Sequence, residues 1–503
     1  MTDSVRRLAA LSVLLCALAP PATGQVRPSL RQDSVPPLPD SLRLYGGTLP
    51  TRPALPGLAV PAGALRLSLA EAVRIALAAN PDQAISELEG VRAANDVTRG
   101  NAGYLPTVDV RAGVVGSRSG PLGGGGGDST GVGGGGFGGA RASTVLDAEI
   151  AAGYTLFDGG LRAATLDRLR AEARRLATLA DADAEALALD VSAAYLDAAR
   201  QAALVDAFAE TIAVSEDRLR IAQAEVRIGT AAQIDAALAL ADFNADRAAL
   251  LRQEVALAGA RAALGGLLAL PSPEAVVATD TLALGPPPDL GALADAAAEG
   301  NRRVLAFEVA EAVAAEAVRQ VRSEYLPTLR AQAGVGWTLL DDGFLPPDLA
   351  PSLGPDLRVG LAATLPLFDG GERDRRLQNA QIVLRQSELA TSSVRLSNRA
   401  RAARLAATAR GFRALADLER LNESIARENV RVALAQLRLG FITPVDLRQI
   451  QLTLVDVRVR RVEAVYQARL AEAELRLLAG ALLPAEARVS PAILDGLDAG
   501  ARR

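Results

Sequence analysis

Two helical stretches of nearly 70 residues, each opened by the same pentapeptide, constrain this chain more than any other feature. The pentapeptide is LFDGG, beginning at Leu156 and again at Leu367, and each copy follows a YLP tripeptide, at Tyr104 and Tyr325. Beyond the first copy, Leu169, Ala173, Leu176, Ala180, Ala184, Leu187 and Val191 recur at a mean spacing near 3.6, and nothing interrupts the pattern before Gly229. This predicts a helix over 161–228, ~100 Å long at 1.5 Å per residue, and a matching one over 372–439. Half of the residues are apolar but only 3% are aromatic. Seams between such helices must therefore be built from Ala and Leu at close approach.

The duplication extends to the whole order of elements. Asn80 corresponds to Asn301 and Tyr104 to Tyr325 at an offset of 221, whereas Phe157 corresponds to Phe368 and Gly229 to Gly440 at 211. The ten extra residues of the first copy fall in the Gly-rich segment 116–140, read as a loop. Shorter helices over 231–268 and 444–479 return along the long ones, and helices over 82–102 and 302–323 stack end to end with them. Ser68 and Glu71 form a capping box that opens the first repeat. The expected organisation is a signal peptide (1–24), a Pro-rich extension (25–65), a first repeat (66–270, hairpin 104–157), a linker (271–289) with room for a short strand, a second repeat (290–480, hairpin 325–368) and a tail (481–503).

Between YLP and LFDGG the period changes to two. Val108, Val110, Ala112 and Val114 share one face opposite Asp109 and Arg111, and Leu146, Ala148, Ile150, Ala152 and Tyr154 lie opposite Asp147 and Glu149. In the second repeat Leu329, Ala331, Ala333, Val335 and Trp337 oppose Arg330 and Gln332, and Leu357, Val359, Leu361, Ala363 and Leu365 oppose Arg358. Four strands of about ten residues, each with one apolar and one charged face, fit tilted membrane strands around a watery lumen. Tyr104, Phe157, Tyr325 and Phe368 stand at matching heights, as aromatics at a membrane interface do. Four strands cannot close a barrel, and an open edge in lipid leaves backbone groups unpaired. Closure must come from other copies, and a homotrimer of twelve strands is expected.

The residue inventory excludes much else. Net charge is -4 with Arg dispersed along the chain, so no nucleic acid is expected as a partner. There is no His and one Cys, Cys16, which removes the usual zinc sites, thiol nucleophiles and Ser-His triads. No enzyme, cofactor or metal site is expected. Arg6 and Arg7 before an apolar run to Leu18, then Ala22 and Gly24, read as an export signal. Beyond it, no apolar run is long enough for a membrane helix.

In this order of strands and helices, with the NPD, YLP and FDGG motifs and the RIGT and RLGF turns at Gly229 and Gly440, the chain resembles the TolC-like outer-membrane factor (outer membrane efflux protein) family over 66–480. The resemblance implies an α+β membrane protein: a trimeric twelve-stranded barrel in outer-membrane lipid, four strands per protomer, continued by a long periplasmic α-helical barrel. It also implies passive conduction of substrates, in efflux or type I secretion, from a periplasmic adaptor and an inner-membrane pump or secretion transporter to the exterior. The competing reading is a non-conducting structural or adhesive surface protein with periplasmic helices.

By the same resemblance, Gly229, Thr230, Gly440 and Phe441 mark the tip where an adaptor docks, and Asp235 and Asp446 a pore constriction. Gln449 stands where the resemblance implies a second acidic residue, and Ile442 where it implies an Arg that holds the gate closed. Read as local structure, Thr443, Pro444 and Asp446 fit N-cap, N1 and N3 of the return helix. In the first repeat Gln233 fits the corresponding capping position after Thr230, which leaves Asp235 without a capping role.

Overall fold

The computed structural model describes residues 63–119, 141–341 and 355–484. The expected signal peptide, nearly all of the Pro-rich extension, most of the Gly-rich segment and nearly all of the tail lie outside the described residues. The elements in chain order are β1 (Leu65–Leu67), α1 (Leu69–Ala79), α2 (Pro81–Asn95), β2 (Thr107–Ser119), β3 (Arg141–Phe157), α3 (Leu161–Ile228), α4 (Gln233–Leu267) and β4 (Val276–Ala278). They continue with α5 (Leu290–Ala296), α6 (Arg302–Ser323), β5 (Thr328–Asp341), β6 (Pro355–Thr364), α7 (Glu372–Arg438) and α8 (Pro444–Leu478). Among the described residues no helix is long and apolar enough to cross a membrane.

Helices α3 and α7 have 68 and 67 residues, so each runs ~100 Å. Each pairs over about half of its length with a 35-residue return helix, α3 with α4 and α7 with α8. The buried faces of the long helices are alanine-rich: Ala173, Ala177, Ala180, Ala184 and Ala188 of α3 are buried, Ala173 against α2, as are Ala402, Ala406 and Ala409 of α7. A small side chain lets two backbones approach, and a long helix accumulates enough such contacts to hold without bulky residues. Asn80 and Asn301 do the same two jobs in their repeats. Each side-chain oxygen caps the following helix, and each Nδ2 donates to the last turn of the return helix, at the carbonyls of Leu267 (3.2 Å) and Leu477 (3.3 Å).

The linker strand pairs with the strand that opens the first repeat. β4 pairs in parallel with β1, and the two sit on a core of Leu67, Ala72, Ala76, Val191, Leu264, Leu268 and Val276. The fully buried Tyr195 of α3 locks this pair: its hydroxyl donates to the Leu67 carbonyl (3.0 Å) and accepts from the Asp280 N–H (2.9 Å). The Ser68–Glu71 capping box is present, with the Ser68 N–H donating to Glu71 at 2.8 Å.

Three details depart from expectation. The helix before the first YLP stops at Asn95 instead of 102, because Asn101 donates to the Asp96 carbonyl and its N–H to Thr98 Oγ1, a polar turn that displaces the helical ladder. Three of the four strands exceed ten residues, at 13, 17 and 14. The first hairpin consequently takes in 116–119 as strand, residues expected to be loop.

The sheet has the order β2-β3-β5-β6, antiparallel throughout. Its register aligns the expected faces across all four strands. Val110 lies opposite Ile150, Ile150 opposite Val335 and Val335 opposite Leu357, all on the apolar face. On the other face Arg111 pairs with Glu149, and Arg358 and Asp356 form an ion pair at 2.7 Å. The carboxylates of Asp147 and Glu149 lie over Gly113 and Gly334, so the charged face is low and paved with glycine. Among the described residues nothing covers the apolar face: Val108, Val110, Val359 and Leu361 are all exposed. The edges of β2 and β6 are likewise unpaired among the described residues.

Candidate functional site

Two regions carry the chain's special chemistry: the junction between sheet and long helices, and the far tips of those helices. The junction explains the repeated LFDGG. Asp158 and Gly159–Gly160 carry the chain from strand to helix, with φ of 66° and 92° at the glycines, backbone that side chains with a Cβ rarely adopt. The Asp158 carboxylate then accepts from the Gly160 N–H (3.2 Å), the Arg162 N–H (3.1 Å) and Arg162 Nε (2.9 Å), satisfying otherwise orphaned donors at the start of α3. Arg162 reaches back to the Thr155 carbonyl (2.7 Å) and lies over the Tyr104 ring, 5.1 Å from its centre.

The second repeat copies this knot. Asp369 accepts from Gly371, the Arg373 N–H and Arg373 Nε (2.7 Å), and Arg373 stacks on Tyr325 at 5.2 Å. The Arg373 guanidinium holds the Asp369 carboxyl below the usual aspartate range. Tyr325 adds a 2.6 Å hydrogen bond to Asp374. YLP and FDGG are therefore two halves of one clasp that fixes the angle between a strand and a ~100 Å helix. The arginines that close it escaped the sequence reading, although the shared spacing FDGGxR was available as a signal. Phe157 and Phe368 stay exposed beside the clasps.

At the other end, α3 and α7 finish in the same way. Gly229 (φ 82°) and Gly440 (φ 75°) adopt the left-handed conformation, and the N–H groups of Thr230 and Phe441 donate back to Glu225 and Gln436 at 2.9 Å each. These are Schellman turns, which consume the last helical carbonyls and reverse the chain in few residues. Their apolar side chains have no cover: Ile228, Ile234, Leu439 and Val445 are exposed, and Phe441 is 76% exposed.

Asp235 and Asp446 are exposed and occupy equivalent N3 positions. Asp446 accepts from the Thr443 N–H (3.0 Å) and hydroxyl (2.7 Å), bonds that lower its pKa below the ordinary aspartate value. Asp235 accepts from the Ala232 N–H at 3.1 Å. Asp235 thus caps its helix, contrary to the sequence reading that gave this role to Gln233. Ala232 is the N-cap and Gln233 is N1, and Ala232 has no side-chain oxygen to signal the position.

The structure adds a polar lock near the tips that the sequence did not reveal. Arg448 of α8 holds Asp246 of α4 through both terminal nitrogens, at 2.7 and 2.8 Å, and Ser215 of α3 donates to the same carboxylate. Arg218 of α3 pairs with Asp242 of α4 at 2.7 Å. Further along, Glu423 of α7 is buried among Arg427, Arg458 and Arg461, and Arg458 also reaches Glu210 of α3 at 2.6 Å. The two hairpins are thus joined by ions across three helices, at positions 202 and 248 residues apart in the chain. No cluster of candidate metal ligands occurs among the described residues.

No protein of curated function matches this sequence. Among solved structures the fold is similar to the outer-membrane channel CmeC of Campylobacter jejuni (TM-score 0.67, 13% identity, 85% of this chain and 89% of that one). It is also similar to the open state of the MtrE outer-membrane channel of Neisseria gonorrhoeae (TM-score 0.63, 20% identity, 82% and 89%). A third similar structure is the outer-membrane protein VceC of Vibrio cholerae (TM-score 0.64, 15% identity, 82% and 96%). The model of the outer membrane efflux protein family matches residues 72–270 and 293–481, the two repeats in turn. With its four alternating strands clasped to paired long helices, the chain belongs to the outer membrane efflux protein family and has the TolC-like fold, with its sheet in the outer membrane and its helices in the periplasm.

Proposed function

We propose that three copies of the chain close a twelve-stranded barrel in the outer membrane and a helical tunnel below it, forming a passive exit duct. The observation that carries this reading is the sheet: among the described residues it has an uncovered apolar face, a charged face opposite and two unpaired edges. In lipid such edges require partners, and four strands supply too few for a ring. Tyr104, Phe157, Tyr325 and Phe368 then sit at the periplasmic membrane surface, where aromatic side chains bridge lipid and water.

The exposed apolar tips support a periplasmic adaptor as the partner that docks at Gly229, Thr230, Gly440 and Phe441, since apolar patches of this kind on a soluble end mark interaction sites. The adaptor in turn connects the duct to an inner-membrane pump or secretion transporter. Asp235 and Asp446, three of each in the assembly, narrow the periplasmic entrance and favour cations there, in addition to capping their helices.

Two measurements on the full chain test the proposal. Native mass in detergent is expected to give a trimer, and a tag inserted near Gly125 is expected to be reached by antibody on intact cells. A stable folded monomer, or labelling only after the outer membrane is opened, overturns it.

A further inference from the structure

The second long hairpin is less well filled than the first at one level. At the offset of 211, Leu219, Leu240 and Phe243 correspond to Val430, Gln451 and Leu454. The first three pack together between α3 and α4 as one apolar cluster. Their counterparts are smaller at two positions and polar at the third, and they line a cavity of about 300 Å³ between α3, α7 and α8. Val214 of α3 and Leu434 of α7 extend its apolar wall. The volume reaches the lower end of the range of small-molecule sites, whereas helices packed to native density leave few voids larger than a water.

Among the polar side chains of the wall, Gln451 alone has neither a hydrogen bond nor an ion pair. Arg458 is held by Glu210 and Glu423, Arg427 by Glu423 and Arg431 by Glu428. The Thr211 hydroxyl donates to the Ala207 carbonyl at 3.1 Å. Gln451 is 3% exposed, and both its Oε1 and its Nε2 are without a partner. A buried amide left unpaired is costly, so a partner supplied from outside the chain gains what the fold forgoes. Because every charge on the wall is already matched, the complementary group is neutral and offers a donor beside an acceptor.

We propose that this cavity binds a small neutral molecule built of a carboxamide on an apolar body. The carboxamide pairs with Gln451, and the apolar body fills the space that Leu240 and Phe243 fill in the first repeat. The site stands independently of the duct reading, since all of its residues belong to one chain. Its position gives the guest a consequence for the tips. Along α8, Arg448 lies about one turn before Gln451 and Arg458 about two turns after it. Arg448 ties α8 to Asp246 of α4, and Arg458 ties it to Glu210 of α3. A guest between these ties touches α3 on one wall and α7 and α8 on the other, so its binding opposes separation of the two hairpins by mass action.

Benzamide is a suitable probe, with the full chain in lipid nanodiscs so that no detergent competes for the apolar cavity. Saturation-transfer NMR is expected to show saturable binding, in the millimolar range of so small a ligand. Gln451→Leu places at 451 the residue found at the equivalent position of the first repeat, so it should fold. It should weaken benzamide binding about tenfold or more through the two lost hydrogen bonds. Acetophenone, which carries a methyl in place of the amide nitrogen, should bind the unsubstituted chain more weakly than benzamide and lose that disadvantage in Gln451→Leu. Val214→Trp fills the cavity from α3 and should abolish binding of both.

At about ten times the Kd of benzamide, amide exchange in α8 around Gln451 should slow about tenfold. Equal affinity of benzamide for the unsubstituted chain and for Gln451→Leu, or no saturable binding at the solubility limit, overturns the site and leaves the cavity to water. Saturable binding with unchanged exchange in α8 overturns the hold on the hairpins.

Discussion

Replacing Arg448 with Ala exposes how the two hairpins are held near their tips. Arg448 and Asp246 are 18% and 11% exposed at their side chains, and the carboxylate keeps only Ser215 once the guanidinium is gone. Breaking a fully buried ion pair costs about 3–5 kcal/mol, and the residual water access here reduces that to about 2–3 kcal/mol. The pair joins α4 to α8, so the loss falls on the opening of these two helices from each other near the tips, before global unfolding. Amide exchange in the first three turns of α8 and around Asp246 is then expected to accelerate about 30- to 150-fold, at 1.4 kcal/mol per decade. Exchange in the core around Tyr195 is expected to stay unchanged. Arg448→Lys keeps the charge but loses the two-pronged geometry, and should fall between. The double variant with Asp246→Ala removes the stranded carboxylate and should recover part of the loss, with a coupling of about 1 kcal/mol or more. Acceleration below about threefold, or strict additivity in the cycle, would show that the pair holds nothing and refute this reasoning.

Four further perturbations follow from the geometry. Asp446 has its pKa lowered by the Thr443 hydroxyl and N–H, so its contribution to α8 is complete above the ordinary aspartate value of 3.8 and is lost as pH falls below that value. Protection of the first turn of α8 should therefore hold at pH 5 and collapse only in stronger acid, whereas Asp446→Asn should lose it at every pH. Single-channel recordings of Asp235→Asn and Asp446→Asn should each show weakened cation preference, and the double variant should show none; retention of selectivity in the double variant would make both residues caps only. Thr230→Arg combined with Phe441→Glu should abolish export and adaptor co-purification while leaving the trimer mass intact. Tyr195→Phe strands the Leu67 carbonyl and the Asp280 N–H without their shared hydroxyl and should cost about 1–2 kcal/mol, measured as faster exchange at Asp280.

The long helices and the strand faces were legible because one rule governs each over many residues. Alanine and leucine at a period of 3.6 leave no competing fold for 161–228, and strict alternation leaves one register for Val110, Ile150, Val335 and Leu357. What failed was decided by single residues. The end of α2 depends on Asn101 and Thr98 bonding backward into a turn, although Ala93 and Ala94 continue the helical pattern. The capping role of Asp235 was hidden because its partner is an alanine N–H, which has no side-chain signature. The Arg448–Asp246 lock could not be read at all: each residue alone looks like a solvated charge on a helix face, and only the packing of α8 near α4 brings them together.

Ion conduction by the purified full chain in a planar lipid bilayer tests the central claim most directly. The account requires discrete, long-lived conductance steps from trimers inserted with their sheets in lipid, and an increased step for Arg448→Ala, whose loosened tips widen the periplasmic end. Trimers that insert stably and carry no current, with or without the substitution, would contradict a duct and leave a structural surface protein as the reading.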